Sequence, residues 1–336
     1  MRLLRCVDEH QSLRKSGADA GTEAQQGPDF FGCTVSREHI EHEPVLCRER
    51  MATVAPQPGE TVVDVTCGHG GHALILAEAV KPDGRLIGLD IDPINLERAK
   101  QRLREAMVRT DLLRENFVQL GDALDSLGIG KVDVILADLG VSTDQLLDPS
   151  VGLGFTEDSP LDMRLDDRLE KSATDLVNAL SEDQLSDLIY FNSQERFSRR
   201  IARKICHARR DHRIRTTGEL VRAICSALEV SPDAYHGKIH PATRTFLALR
   251  IAVNNELVNL ETFLGAARDR LSPGGRLAVM SFHSGEDRLV KQSFLDGRKD
   301  GTYEILTKKP VCPSADEVRT NPRSRSAKLR VAKRLP

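Results

Sequence analysis

Apolar positions along the chain change their period more than once. From Glu60 onward, short β-rich runs alternate with stretches of helical spacing: TVVDVT (61–66), a helix over 72–80, RLIGLD (85–90), and a helix from Pro93 to about Arg109. Strand-like runs separated by helices predict a parallel, doubly wound sheet, because parallel neighbours need a crossover between them. The short run NFVQL (116–120) is the candidate for the next strand. VDVILADLG (132–140) is almost continuously apolar, which predicts a central strand covered on both faces. From about Leu146 to Arg250 strand character stops and the pattern becomes helical, with caps expected at Ser181, before Glu182-Asp183-Gln184, and at Thr217, before Glu219-Leu220. Strand character returns at RLAVMSF (276–282), YEILT (303–307) and KLRVAKR (328–334), so residues far from its start complete the sheet.

This pattern divides the chain. Residues 1–36 are rich in small and polar residues without periodicity and are expected to be a disordered extension. Residues 37–145 and 251–336 are expected to form an α/β domain, interrupted by a helical insertion over 146–250 that would carry substrate recognition.

Composition adds bounds. A chain of 336 residues that is 40% hydrophobic can bury a large core. The net charge of -2 gives no overall attraction for nucleic acid, so any such surface must come from uneven distribution. Two stretches are locally basic, Arg196–Arg222 and Lys308–Arg334. The seven cysteines show no C-x-x-C and no paired spacing, which argues for reduced thiols and against a metal site. No apolar run reaches the length of a membrane span, and Asp8, Glu9, Asp19 and Glu23 make the start too acidic for a transit peptide; a cytoplasmic location is expected.

The candidate chemistry begins at DVTCGHGGHA (64–73), between a strand and a helix. Gly68, Gly70 and Gly71 permit a sharp turn and the approach of a ligand to the main chain. Read as G-x-G-x-x-A, the glycines suit a nicotinamide dinucleotide as well as S-adenosylmethionine. Asp64, at the end of the preceding strand, would repel a pyrophosphate and attract the ammonium of a methionine moiety, which favours S-adenosylmethionine; capping the turn is its alternative role. About twenty residues on, Asp90 ends the second strand, where an acid accepts hydrogen bonds from both ribose hydroxyls of an adenosine. Asp92 before Pro93 reads instead as a helix cap. Gly121-Asp122-Ala123 is small enough to let an adenine ring pack. Asp138 ends the fourth strand, at the sheet edge where open α/β sheets bind ligands, with a turn-capping role as alternative.

The strings HEPVL (42–46), DVTCGHGGHA, DLGVSTDQL (138–146), GFTEDSPLDMRLD (154–166), HPATRTFLALRIAVNNEL (240–257), PGGRLAVMSFHSGEDRLVK (273–291) and NPRSRSAKLR (321–330) closely resemble the RsmH (MraW) family, in the same order, over nearly all of 39–334. The resemblance implies a class I (Rossmann-like) S-adenosylmethionine-dependent methyltransferase with a helical insertion domain. It implies methylation of the exocyclic N4 amine of a cytidine in the decoding region of small-subunit rRNA, with the assembled small subunit as the expected partner and no metal. Its pattern implies cofactor contacts at Gly70, Gly71, His72, Asp90, Ala123, Asp138 and Gln145. The chain departs from the pattern at Leu153, where arginine is usual before Gly154-Phe155, at Leu247 in place of glutamine, at Gly285 in place of leucine, and at Gln194-Glu195 in place of two glutamates. The first departure removes a candidate RNA contact.

Cytosine N4 is a poor nucleophile because its lone pair is shared with the ring. A group that accepts an N4 proton would help without being a strong base; Asp138 is the candidate, with the carbonyls of the following loop as alternative. His283 would orient the base or the RNA backbone, while Ser284, Glu286 and Asp287 equally suit a helix cap. Two other readings stand beside this one. They are an S-adenosylmethionine-binding assembly factor of the small subunit without turnover, and a nicotinamide-dependent oxidoreductase.

Overall fold

A computed structural model describes residues 45, 52–232 and 240–336; the expected extension over 1–36 and most of the HEPVL string lie outside the described residues. The first half alternates β1 (Thr61–Asp64), α1 (Gly71–Val80), β2 (Arg85–Leu89), α2 (Pro93–Leu103), β3 (Arg109–Leu113), α3 (Leu120–Ser126) and β4 (Val132–Asp138). A short α4 (Thr143–Leu147) precedes a helical run of α5 (Ala173–Ala179), α6 (Glu182–Ser193), α7 (Ser198–Asp211), α8 (Thr217–Leu228) and α9 (Thr243–Val253). The chain then closes with α10 (Glu256–Arg270), β5 (Leu271–Ser281), α11 (Ser284–Lys299), β6 (Tyr303–Ile305), α12 (Ala315–Thr320) and β7 (Lys328–Arg334).

The strands form one seven-stranded sheet in the order β3-β2-β1-β4-β5-β7-β6. β7 alone runs antiparallel, inserted between β5 and β6. The period of two in the strands splits their side chains between two cores. Val62, Leu86, Val134, Leu136 and Met280 pack with Leu76 and Ala77 of α1 and Ala99 and Leu103 of α2. Val63, Ile87, Ile135 and Val279 face the other way, onto Leu124 of α3, Leu260, Phe263 and Leu264 of α10, and Phe294 of α11. Burial on both faces is why β4 is a continuous apolar run, and it is the middle strand as expected. A third core belongs to the helical run, built from Val177, Leu185, Ile189, Ile201, Ile205, Leu220, Ile224, Phe246 and Leu249. Position 250 falls inside α9, whose Phe246 and Val253 both belong to that third core.

Four expectations need correction. The third strand is not NFVQL but Arg109–Leu113 (RTDLL), and α2 stops at Leu103, short of Arg109. β3 is an edge strand with no fully buried residue, so it carries no apolar run. Within NFVQL, Asn116 caps a 3-10 turn: its side chain accepts from the Val118 N–H at 3.1 Å, and Gln119 Oε1 accepts from the Asn116 N–H at 3.4 Å. The cap of α8 is Thr216, paired with Glu219, rather than Thr217, whose side chain is fully buried. Finally, part of the C-terminal basic stretch is sheet interior rather than an RNA-facing surface. Leu329, Val331 and Ala332 are buried, and Asp287 engages Arg330 at 2.7 Å and Lys328 at 3.4 Å.

Among the described residues, no helix is long and apolar enough to cross a membrane. Among the described residues, Cys67, Cys206 and Cys312 are free thiols.

Candidate active site

The sheet order reverses between β1 and β4, so their following loops leave in opposite directions and open a crevice at the carboxyl edge. Five backbone contacts fix the loop after β1 in this crevice. The Val65 N–H donates to Leu136 O, the Cys67 N–H to Leu89 O, the Gly70 N–H to Cys67 O, the Asp138 N–H to Thr66 Oγ1, and the Gly68 N–H to Asp90 Oδ2, at 2.6–2.9 Å. The loop is thereby stitched to β4 on one side and to β2 on the other. Gly70 caps α1 with φ +80, and a Cβ there would lie 3.1 Å from the Ala99 Cα of α2. Gly70→Ala is therefore expected to cost about 1–2 kcal/mol from the left-handed backbone alone, read as a lower urea midpoint at unchanged slope; an unchanged midpoint would show that the loop relaxes freely.

Asp90 leaves the end of β2 into the crevice. Its Oδ2 accepts from Gly68 N–H at 2.7 Å, and its Oδ1 from Asp92 N–H at 2.9 Å and Asn95 Nδ2 at 3.2 Å. A carboxylate offers about four acceptor positions. Three protein donors leave one for a ribose hydroxyl, and a second hydroxyl would have to displace Asn95, the longest of the three contacts. Burial pushes the Asp90 carboxyl above the ordinary carboxylate value, against the lowering effect of those donors. Asp92 caps α2 as expected, accepting from Ile94 N–H at 2.8 Å.

His72 and Asp138 come together although they are far apart in the chain. The first turn of α1 brings His72 Nε2 to 3.0 Å from Asp138 Oδ2 at the tip of β4. Asp64, 1% exposed, accepts from the Thr66 N–H at 3.2 Å, which is the turn-capping role. Its charge still acts on the crevice: burial pushes the Cys67 thiol well up, and the charges of Asp64 and Asp90 push it further. Carboxylates at the ends of β1, β2 and β4 make the crevice negative. It suits a ligand carrying ammonium and sulfonium charges and disfavours a pyrophosphate. The site thus fits S-adenosylmethionine by charge, by the ribose acceptor at Asp90 and by the open glycine loop.

The other expected residues are arranged less simply. Gln145 sits in α4 and closes a capping box with Ser142: its Oε1 accepts from Ser142 N–H at 3.0 Å, and its own N–H donates to Ser142 Oγ at 3.1 Å. Its side-chain amide nitrogen and one acceptor position on Oε1 are left for a ligand. Ala123 does not line the turn after the third strand; it is buried in α3 among apolar side chains. Two residues beyond β3, after Arg114 and Glu115, come Asn116 and Phe117, the latter half-buried and edge-on to Phe263 at 5.6 Å. The N-x-x-Q capping signature at 116–119 was the available signal that NFVQL is a turn rather than a strand.

His283 is a helix cap. Its Nδ1 accepts from the Gly285 and Glu286 N–H groups at 3.2 and 3.5 Å, and its Nε2 lies 3.3 Å from Glu286 Oε1. Glu286 in turn accepts from the Phe282 and His283 N–H groups. Burial acts to raise the Glu286 carboxyl, but the His283 ring, the Phe282 N–H and Arg250 bring it below the ordinary value. Glu256, His283 and Glu286 present ligand-type atoms within 4.8 Å of one another, yet Arg250 already grips Glu256 with two bonds of 2.8 Å. The cluster is a cation-balanced brace between α9, α10 and α11. His283 thus caps α11 and takes part in this brace.

Comparison with known proteins agrees with this geometry. The sequence profile described as the MraW methylase family matches residues 39–335. The ribosomal RNA small subunit methyltransferase H of Syntrophus aciditrophicus is 43% identical over 310 residues, covering 88% of this chain and 98% of that protein. Proteins of the same name from Symbiobacterium thermophilum and Sorangium cellulosum are 44% identical over 311 residues and 46% over 295 residues, covering 88% of this chain and 97% and 91% of theirs.

Proposed function

The chain belongs to the MraW methylase family, and from that premise we propose that it methylates the exocyclic N4 amine of a cytidine in the decoding region of 16S rRNA, acting in the cytoplasm on the assembled small subunit. S-adenosylmethionine, when bound, supplies an electrophilic methyl group on a sulfonium. The chain's own contribution is alignment and proton handling. Asp90 and the loop from Thr66 to Gly70 hold the nucleoside and methionine ends. Asp138 accepts a hydrogen bond from the N4 amine and takes the proton that nitrogen loses as its new bond to carbon forms. His72 keeps that carboxylate oriented. The observation that carries this reading is the His72–Asp138 contact at 3.0 Å, at the mouth of a negatively charged crevice.

The helical run from α5 to α9 has its own core and supports the reading of this segment as the RNA-facing part. A base inside a helix is out of reach and must be unstacked before it can meet a crevice of this kind. The test uses purified protein, S-adenosylmethionine and small subunits from cells lacking the modification, followed by digestion and mass spectrometry. N4-methylcytidine is expected from subunits and not from naked 16S rRNA. A product methylated elsewhere on the rRNA would overturn the N4 assignment, and equal yield from naked rRNA would overturn the assembled-subunit assignment.

A further inference from the structure

We propose that the corner between α6 and α7 is a stacking platform for unpaired nucleotides of the rRNA substrate; the inference rests on the reading above and assigns to named side chains the task of holding RNA beside the target. Tyr190, Phe191 and Phe197 are 44%, 64% and 46% exposed. Among the described residues these are the only exposed tyrosines and phenylalanines, and they lie within eight positions of one another. Tyr190 and Phe191 meet edge-on with centroids 5.5 Å apart, and the Arg200 guanidinium lies 6.0 Å from the Phe197 ring. Their placement is not a loose end of the fold. Asn192 Nδ2 donates to Ala248 O at 3.1 Å, buried Glu195 accepts from the Phe197 N–H at 2.9 Å, and Ser198 is buried.

The charge around these rings is one-sided. Residues 190–213 carry eight Lys and Arg against two acids, in a chain with 48 and 50 overall. Arg200, Arg203 and Arg213 pair with Glu229, Glu182 and Asp175. Among the described residues, Arg196, Arg199, Lys204 and Arg210 have no carboxylate partner. The end of α6 and the start of the basic α7 display three aromatic rings at one corner, and water contact at those rings opposes folding. Rings interleaved with unpaired arginines are the chemistry that binds single strands, with bases stacking on the rings and cations on the phosphates. A second copy of this chain is a poor occupant, because a two-fold contact would bring the same unpaired cations face to face.

The test compares three forms of the full chain by anisotropy with a labelled single-stranded RNA decamer. The triple variant Tyr190→Leu, Phe191→Leu, Phe197→Leu keeps apolar area and removes stacking. It is expected to bind about tenfold or more weakly, at unchanged salt slope. The matching triple Trp variant is expected to bind as the wild type does. Arg196→Gln with Arg199→Gln is expected to lower the salt slope by about 0.7 for each phosphate contact removed. Unchanged S-adenosylmethionine affinity in each variant, by calorimetry, shows that the fold is intact. Wild-type affinity in the Leu variant overturns the platform. So does a wild-type dimer, seen by sedimentation, that disperses in the Leu variant. If the wild type makes no N4-methylcytidine on subunits while the Leu variant still loses RNA affinity, the platform stands and the proposed reaction falls.

Discussion

Asp138→Asn is expected to lower the methylation rate constant by about 10²–10⁴-fold, the range for a positioned proton acceptor, with S-adenosylmethionine affinity changed by only a small factor. Asparagine keeps the shape of the side chain and can still accept a hydrogen bond through oxygen, but it cannot take the proton. The His72 contact at 3.0 Å makes the comparison informative, because His72 can hold either an amide oxygen or a carboxylate. Single-turnover rates on small subunits, with cofactor affinity by calorimetry, separate the outcomes. A loss in rate with affinity intact supports proton acceptance. A loss in affinity with the single-turnover rate intact at saturating cofactor would reassign Asp138 to cofactor binding. Full activity would remove it from both roles and pass proton acceptance to the carbonyls of the loop after Leu139. His72→Ala should lower the rate less than Asp138→Asn does, since it disturbs orientation and leaves the acceptor in place.

The parts of this architecture that were legible in the sequence are those where one physical constraint dominates. β1, β2 and β4 are covered on both faces, so their apolar runs could not be mistaken. The glycine loop and Asp90 were legible because backbone conformation and spacing demand those residue types. β3 was missed because an edge strand tolerates polar side chains: Asp111 there pairs with Arg85 of the neighbouring strand at 2.7 Å, a partner that no local pattern reveals. The C-terminal stretch looked like a basic tail for the same reason. Arg330 and Lys328 share one carboxylate, Asp287, more than forty positions earlier. At the site, Asp138 and His72 were each expected from the sequence, but their contact joins residues 66 positions apart and is a property of the crossover geometry alone. The capping role of His283 was not legible because histidine is not among the usual N-cap residues. Only the structure shows its Nδ1 doing what a serine hydroxyl would do.

Asp90→Ala is expected to weaken S-adenosylmethionine binding by about 10–150-fold, the equivalent of losing one hydrogen bond to a charged acceptor. Further loss is expected from the loop itself, since the Gly68 and Asp92 N–H groups lose the carboxylate that orders them. S-adenosylhomocysteine separates the two ways in which Asp90 could act. It has the same ribose and lacks the sulfonium charge, so a ribose contact predicts equal weakening of both ligands. Weakening confined to S-adenosylmethionine would mean that Asp90 acts through the field of the crevice. The direction of the Asp90 pKa adds a second signature. Burial holds this carboxyl above the ordinary carboxylate value, so the ionised acceptor form is lost earlier on acidification than at an exposed aspartate. Wild-type affinity should fall as pH is lowered through that raised value, and the Asp90→Ala variant should lack this part of the profile. Calorimetric titrations from pH 7 downward would show it. Superimposable acid profiles for wild type and variant would mean that another carboxylate of the crevice carries the pH dependence, and unchanged affinity at pH 7 would remove the ribose role altogether.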